Sequence, residues 1–248
     1  MVVIFLLHIA LGVAKVTLSN GDVALFGNSF DGNTCRIYHK NGRWFETIGP
    51  MILRIKHASA VLLQDERILI VGGYTNFREI NTRCQIYNPE APSNRRFTLC
   101  TGQLHFHRKR CTASLIPHGK ILICGGSDAY TIGGSKTTEI YDTSNDSFVD
   151  GPDMIFGRSG HTATVLLNGD IFICGGDYDQ YSEIYRVGSG KFEKGPRMLS
   201  ERSVPTSFLL LDGRVAVCGG EKYVQHFTIE IYDPVTNSFT MGNQFDIE

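Results

Sequence analysis

The stretch HTATVLLNGDIFICGG, residues 161–176, decides the fold because the chain repeats it. The preceding copy reads CTASLIPHGKILICGG (111–126), and the following one reads PTSFLLLDGRVAVCGG (205–220). Each is followed by a Glu-Ile-Tyr segment, then by a run centred on Phe. An Ile-Tyr pair ends at Tyr38, Tyr87, Tyr141, Tyr185 and Tyr232, in steps of 49, 54, 44 and 47 residues. Phe45, Phe148, Phe192 and Phe239 each stand seven residues beyond their tyrosine; in the second copy the gap is ten, to Phe97. Gly72-Gly73, Gly125-Gly126, Gly175-Gly176 and Gly219-Gly220 close the apolar run of four copies, and the first copy has Gly27-Asn28 there. A period of this size marks a repeat architecture.

Each copy reads as four short strands. The first alternates, as in Thr162 to Leu167, and a tight turn follows at Asn168-Gly169, Asn20-Gly21, His118-Gly119 or Asp212-Gly213. Such pairs tolerate the positive φ that a two-residue hairpin needs. The second strand, Asp170 to Cys174, is almost wholly apolar, which predicts burial on both faces. The third carries Glu-Ile-Tyr and the fourth the Phe. No long run has helical spacing. A unit this small cannot bury both sheet faces alone, so radial packing predicts an all-β fold, a β-propeller of five recognisable four-stranded blades.

The hairpin ending in Gly-Gly, the later Tyr and the aromatic beyond it resemble kelch repeats. The R-x-x-H-T-A…N-G form is similar to the kelch-like propeller of galactose-oxidase relatives. The resemblance covers roughly residues 13–242 and departs in using Phe where most kelch blades have Trp; the lone Trp44 precedes Phe45. It implies scaffolding, ligase-adaptor or enzyme roles alike, because function lives in sites grafted on a fold. Kelch propellers usually have six or seven blades, so five copies leave open a five-bladed ring or part of a larger one.

The formal net charge of −1 gives no general pull toward nucleic acid or membrane. Residues 1–12 form an apolar segment ahead of a propeller spanning 13–248. That segment reads as an edge strand or as a signal peptide cleaved after Ala14. Of seven cysteines, Cys124, Cys174 and Cys218 share one repeat position with Val71, which marks them as small apolar filler. Cys100 and Cys111 flank one loop and are a candidate pair in a secreted protein; reduced thiols are expected inside the cell. A cytoplasmic location is the expectation, secretion the alternative.

In a propeller the loops joining strands two to three and four to one share a face, and there the repeat breaks down. Aromatic and charged residues fill the first set: Tyr74, Phe77, Arg78, Tyr130, Tyr178, Tyr181, Tyr223 and His226. Variable loops on a rigid scaffold concentrate function, and Tyr and Arg dominate interfaces. Arg54, Arg108, Arg158 and Arg202 each stand three residues before a first strand, at His57, Cys111, His161 and Pro205. Two readings stay open for them. They ring the channel mouth and grip carboxylates, or they bridge within the scaffold to Glu139, Glu183 and Glu230. The segment His105, His107, Arg108, Lys109 and Arg110 is the densest basic patch.

No carboxylate pair, nucleophile elbow or metal-spaced histidine cluster appears, so no catalytic residue, metal or cofactor is expected. The sequence predicts a monomeric, non-catalytic interaction module. It binds a short acidic peptide or loop on the aromatic and arginine face, without nucleic acid or membrane. The alternative is a secreted carbohydrate-binding or carbohydrate-active propeller.

Overall fold

The computed structural model describes residues 13–27, 33–75, 81–128, 133–177, 179–220 and 228–242. Blade one comprises β1 (Ala14–Thr17), β2 (Val23–Phe26), β3 (Cys35–His39) and β4 (Trp44–Thr47). Blade two comprises β5 (Ser59–Leu62), β6 (Ile68–Val71), β7 (Arg83–Tyr87) and β8 (Phe97–Gln103), with a short 3-10 turn at Ser93–Arg95. Blade three holds β9 (Thr112–Ile116), β10 (Lys120–Cys124), β11 (Thr138–Asp142) and β12 (Ser147–Asp150). Blade four holds β13 (Thr162–Val165), β14 (Ile171–Cys174), β15 (Asp179–Arg186) and β16 (Lys191–Arg202). Blade five holds β17 (Thr206–Leu209), β18 (Val215–Cys218), β19 (Ile229–Asp233) and β20 (Ser238–Met241). Every blade is an antiparallel meander, and the five are arranged as a β-propeller.

The repeated residues are repeated contacts. Tyr38↔Phe45, Tyr87↔Phe97, Tyr141↔Phe148, Tyr185↔Phe192 and Tyr232↔Phe239 are direct cross-strand partners. Their ring centroids lie 5.2, 5.1, 4.8, 5.0 and 5.5 Å apart, within the range of favourable aromatic pairs. The extra residues before Phe97 form the 3-10 turn, so the register survives the longer gap. The glycine pairs end the second strands at positive φ, for example +74° and +85° at Gly72 and Gly73. A Cβ on Gly72 would sit 2.5 Å from the carbonyl oxygen of Arg108, which leads into the next blade. That close approach of one blade to the next loop excludes any side chain.

The second strands are buried as their composition predicts, and alternate residues face opposite neighbours. Ile68, Ile70 and Tyr87 pack against Ala24, Phe26 and Ile37 of blade one, while Leu69, Val71 and Cys84 pack against Ile121, Ile123 and Tyr141 of blade three. Equivalent clusters join blade three to four and blade four to five. The cysteine positions before Gly-Gly behave as filler: Cys124 and Cys174 are buried in these clusters, and burial pushes the Cys174 thiol up to about 12.

Two expectations change. The first strand of blade four ends at Val165, short of Leu167, because Leu166 already bonds across the turn to Asp170. The disulfide joins Cys84 to Cys100, and Cys111 is free and buried. Cys84 and Cys100 lie on neighbouring strands of one sheet with Cα atoms 5.4 Å apart, whereas Cys111 begins the next blade. The bridge closes a separation of 16 residues. A non-reducing digest is expected to link the Cys84 and Cys100 peptides. Reduction should lower the unfolding free energy by about 3 kcal/mol, the chain-entropy value for a loop of that size. An unchanged denaturation midpoint after reduction would contradict this.

Candidate ligand face

Three of the four arginines are internal. Arg108 is 1% exposed, and Arg158 and Arg202 are fully buried. Arg108 Nε donates to Glu139 at 2.9 Å, Arg158 Nε to Glu183 at 2.7 Å, and Arg202 Nη2 to Glu230 at 2.9 Å. The grip-carboxylate reading of these side chains is therefore corrected: their charge is spent inside the scaffold. Each carboxylate, on the third strand of its blade, also accepts amides of the incoming four-to-one loop. Glu139 accepts from His105 and Phe106, Glu183 from Ile155, and Glu230 from Leu199 and Ser200. The second guanidinium nitrogen ties the loop to the glycine pair, through Gly125, Gly175 and Gly219 carbonyls at 2.7–2.8 Å. A buried pair holds only if its remaining donors and acceptors are satisfied, and here the backbone satisfies most of them.

Blade two breaks the pattern in both partners at once. Ile55 rather than Arg54 takes the arginine place: its carbonyl faces Gly27 as that of Arg108 faces Gly72. Ile55 is buried and Arg54 exposed. The carboxylate becomes Gln85, whose Oε1 accepts from Ile52 and Leu53 at 3.1 Å each. Its Nε2 donates to the Leu53 carbonyl and to Met51 Sδ, at 3.1 and 3.2 Å. Loss of the cation is thus matched by loss of the anion, and the loop amides keep their acceptor. In blade one Arg36 stands at the carboxylate position and is exposed. The one-residue offset also separates two histidines. His57 shares the left-handed place of Arg110 and Gly160 (φ +55°, +57° and +73°), and Ala58 is the equivalent of His161.

Blade four carries its own variation. Thr137 and Thr228 hydroxyls accept from Nη2 of Arg108 and Arg202. Tyr181 stands at that position, and Arg158 Nη2 finds no partner among the described residues. Instead Phe156 lies 5.4 Å under the Arg158 guanidinium and stacks on Tyr181 at 4.9 Å, with Arg197 5.3 Å over Tyr181. This ladder of alternating cations and rings was not legible from spacing alone, because its members come from three separate segments. Tyr181 is 45% exposed, which keeps it on the surface. Tyr74 stacks on His57 at 5.4 Å. The candidates Phe77, Arg78, Tyr130, Tyr178, Tyr223 and His226 lie outside the described residues.

The surface cations converge on that stack. Successive loops are stitched together, Arg110 N–H to the His57 carbonyl and Gly160 N–H to the Arg110 carbonyl. The stitching brings Lys56, Lys109 and Arg110 around His57. Burial, then Arg110, Lys109 and Lys56, push its imidazole down to about 4. His57 is therefore neutral at pH 7, beside three cations. Sequence reading found Lys109 and Arg110 but missed Lys56, which is 53 residues from Lys109. A cleft of about 450 Å³ is lined by His105, Phe106, His107, Arg108, Asp128 and Ser135, and Arg108 directly precedes Lys109 of this cluster. Phe106 is 50% exposed, and Asp150 accepts from His105 at 2.7 Å, raising its pKa.

Residues 108–155 match the family model of the Kelch motif. A galactose oxidase of Gibberella zeae strain PH-1 is 29% identical over 140 residues, covering 55% of this chain and 19% of that protein. A second Gibberella zeae galactose oxidase matches to the same extent. The chain thus spans about a fifth of the length of these curated relatives. Among solved structures, one titled a novel fungal alcohol oxidase of the AA5 family, in complex with copper, superposes with a TM-score of 0.63 at 16% identity. It covers 96% of this chain and 66% of that one. At that identity the likeness concerns the fold. Among the described residues no three His, Cys, Asp or Glu side chains converge as a metal site requires.

Replacing Arg108 by Ile alone should destabilise the protein by about 3–5 kcal/mol, because Glu139 is left buried and uncompensated. The double change Arg108→Ile with Glu139→Gln, copying blade two, should recover more than half of that in urea unfolding. No recovery would show that the pair does more than neutralise itself.

His161 adds a pH dependence. It is buried, its Nε2 lies 2.9 Å from Thr112 Oγ1, and burial, then Arg158, holds its pKa at about 3. Between that value and the unfolded one the unfolded chain binds the extra proton, so stability should fall as pH falls from about 6.5. His161→Gln should flatten the slope of unfolding free energy between pH 6 and 4 by about 1 kcal/mol per pH unit.

Proposed function

We propose that this chain, a kelch-repeat β-propeller, is a non-catalytic interaction module that binds an acidic peptide or loop. The observation that carries this reading is the convergence of Lys56, Lys109 and Arg110 on the Tyr74–His57 stack, beside the cleft that Phe106 flanks. The cations attract and orient carboxylates, a role in which surface charge governs approach rate and specificity. Phe106 and Tyr74 supply apolar area. The buried Arg–Glu pairs act from beneath, holding the loops so that little ordering is needed on binding.

A second reading has a specific support, the sequence similarity to galactose oxidases. In it the same exposed rings stack on sugar. Because the match spans a minor part of those proteins, it concerns carbohydrate recognition by the propeller, and no catalytic step is derived.

The test is fluorescence anisotropy with a labelled decapeptide rich in Asp and Glu and containing one aromatic residue, run beside a panel of galactosides. The double variant Lys109→Glu with Arg110→Glu should weaken peptide binding at least tenfold, and raised salt should weaken wild-type binding in the same direction. Phe106→Ala should lose affinity without changing the salt dependence. Saturable galactoside binding with no peptide binding would select the second reading.

A further inference from the structure

The blades make contact through one interface used repeatedly. Each later blade turns a leading face toward its predecessor: two alternate residues of the second strand, the Tyr and the Phe. In blade two these are Ile68, Ile70, Tyr87 and Phe97; in blade five, Val215, Val217, Tyr232 and Phe239. They enter a trailing face made by the other residues of the preceding second and third strands, such as Phe172, Cys174 and Ile184. Four clusters serve five blades, and among the described residues none joins blade five to blade one. The innermost strands agree. β1 packs on β5, β5 on β9, β9 on β13 and β13 on β17, while no comparable packing joins β17 to β1.

Both outer faces keep the interface chemistry. On the leading face of blade one, Leu25 is half-buried where Ile70, Ile123, Ile173 and Val217 are fully buried. Phe45 is 43% exposed, where Phe97, Phe192 and Phe239 are half-buried and Phe148 is buried; Tyr38 beside it is 5% exposed. On the trailing face of blade five, Cys218 is half-buried where Val71, Cys124 and Cys174 are buried, and Ile231 beside it matches the half-buried Ile86 and Ile140 of the covered interfaces.

We infer that these two faces are partners for each other between copies of this chain: blade one of one molecule docks on blade five of another, head to tail. The argument is continuity with an interface the chain already builds four times. Blade one carries its Tyr-Phe plug, blade five carries its apolar seat, and among the described residues the chain does not bring the two together. Such a contact is heterologous, so it propagates unless it closes into a ring. Head-to-tail assembly is proposed as the alternative to the monomer expected from sequence.

Sedimentation velocity and light scattering on the full chain across a wide concentration series test this. The wild-type mass should at least double as concentration rises. Phe45→Glu spoils the plug and keeps the seat, whereas Cys218→Arg spoils the seat and keeps the plug. Each variant alone should stay monomeric, and their equimolar mixture should form a dimer and nothing larger. Circular dichroism checks that both are folded, with Phe45→Ser as the milder plug variant. A wild-type chain that is monomeric throughout overturns the inference, as does a mixture that stays monomeric. A monomer whose Cys218 resists alkylation also overturns it, because a further stretch of its own polypeptide would then cover the seat.

Discussion

The loop face depends on one constraint: the amides entering blades two to five need a buried acceptor. A four-to-one loop leaves the sheet and crosses to the next blade, so its N–H groups have no strand partner. Left unpaired in the interior, each would cost about 1–3 kcal/mol. The third strand solves this by aiming a carboxylate inward at Glu139, Glu183 and Glu230. A buried carboxylate then requires a cation, and the loop itself supplies the arginine. Its remaining donors reach the carbonyls of the glycine pairs, so strand end, loop and third strand become one unit.

Blade two shows which part of this device is essential. With Ile55 in place of the arginine, the acceptor persists as Gln85 and still holds two loop amides. The charge pair is one way to keep an acceptor buried, and a neutral amide is another. Continuum reasoning about buried ion pairs leads to the same view: such a pair contributes little over a neutral replacement, while half of it is costly. Arg158 marks a further relaxation. Where Tyr181 replaces the threonine seen in blades three and five, one guanidinium nitrogen has no partner among the described residues and an aromatic ladder grows outward toward the surface.

The blade was legible from the sequence because its determinants are local and periodic. The Tyr–Phe pair lies within ten residues, and the glycine pair and hairpin turns within one hairpin. The same periodicity misled at Arg54, where a one-residue offset hid Ile55 as the true equivalent; only the carbonyl facing Gly27 reveals it. The disulfide departs both from the expected reduced thiols and from the alternative Cys100–Cys111 pair, since Cys84 and Cys100 are paired by cross-strand register, not by flanking a loop. The cation cluster depends on contacts between blades. Lys56 and Arg110 meet because successive loops bond to each other, a relation that spacing along one repeat does not contain.

The arrangement divides labour between two layers of the same face. Below, the repeated Arg–Glu residues are buried and paired, and they differ little among blades three, four and five. Above, the exposed and half-buried rings differ from blade to blade, with Phe106 at one, the Phe156–Tyr181 stack at another and the Tyr74–His57 stack at a third. A change in the upper layer leaves the bonds of the loop amides intact, because those amides are held by groups from the third strand rather than by their own side chains. The scaffold can therefore vary its surface chemistry without losing loop position.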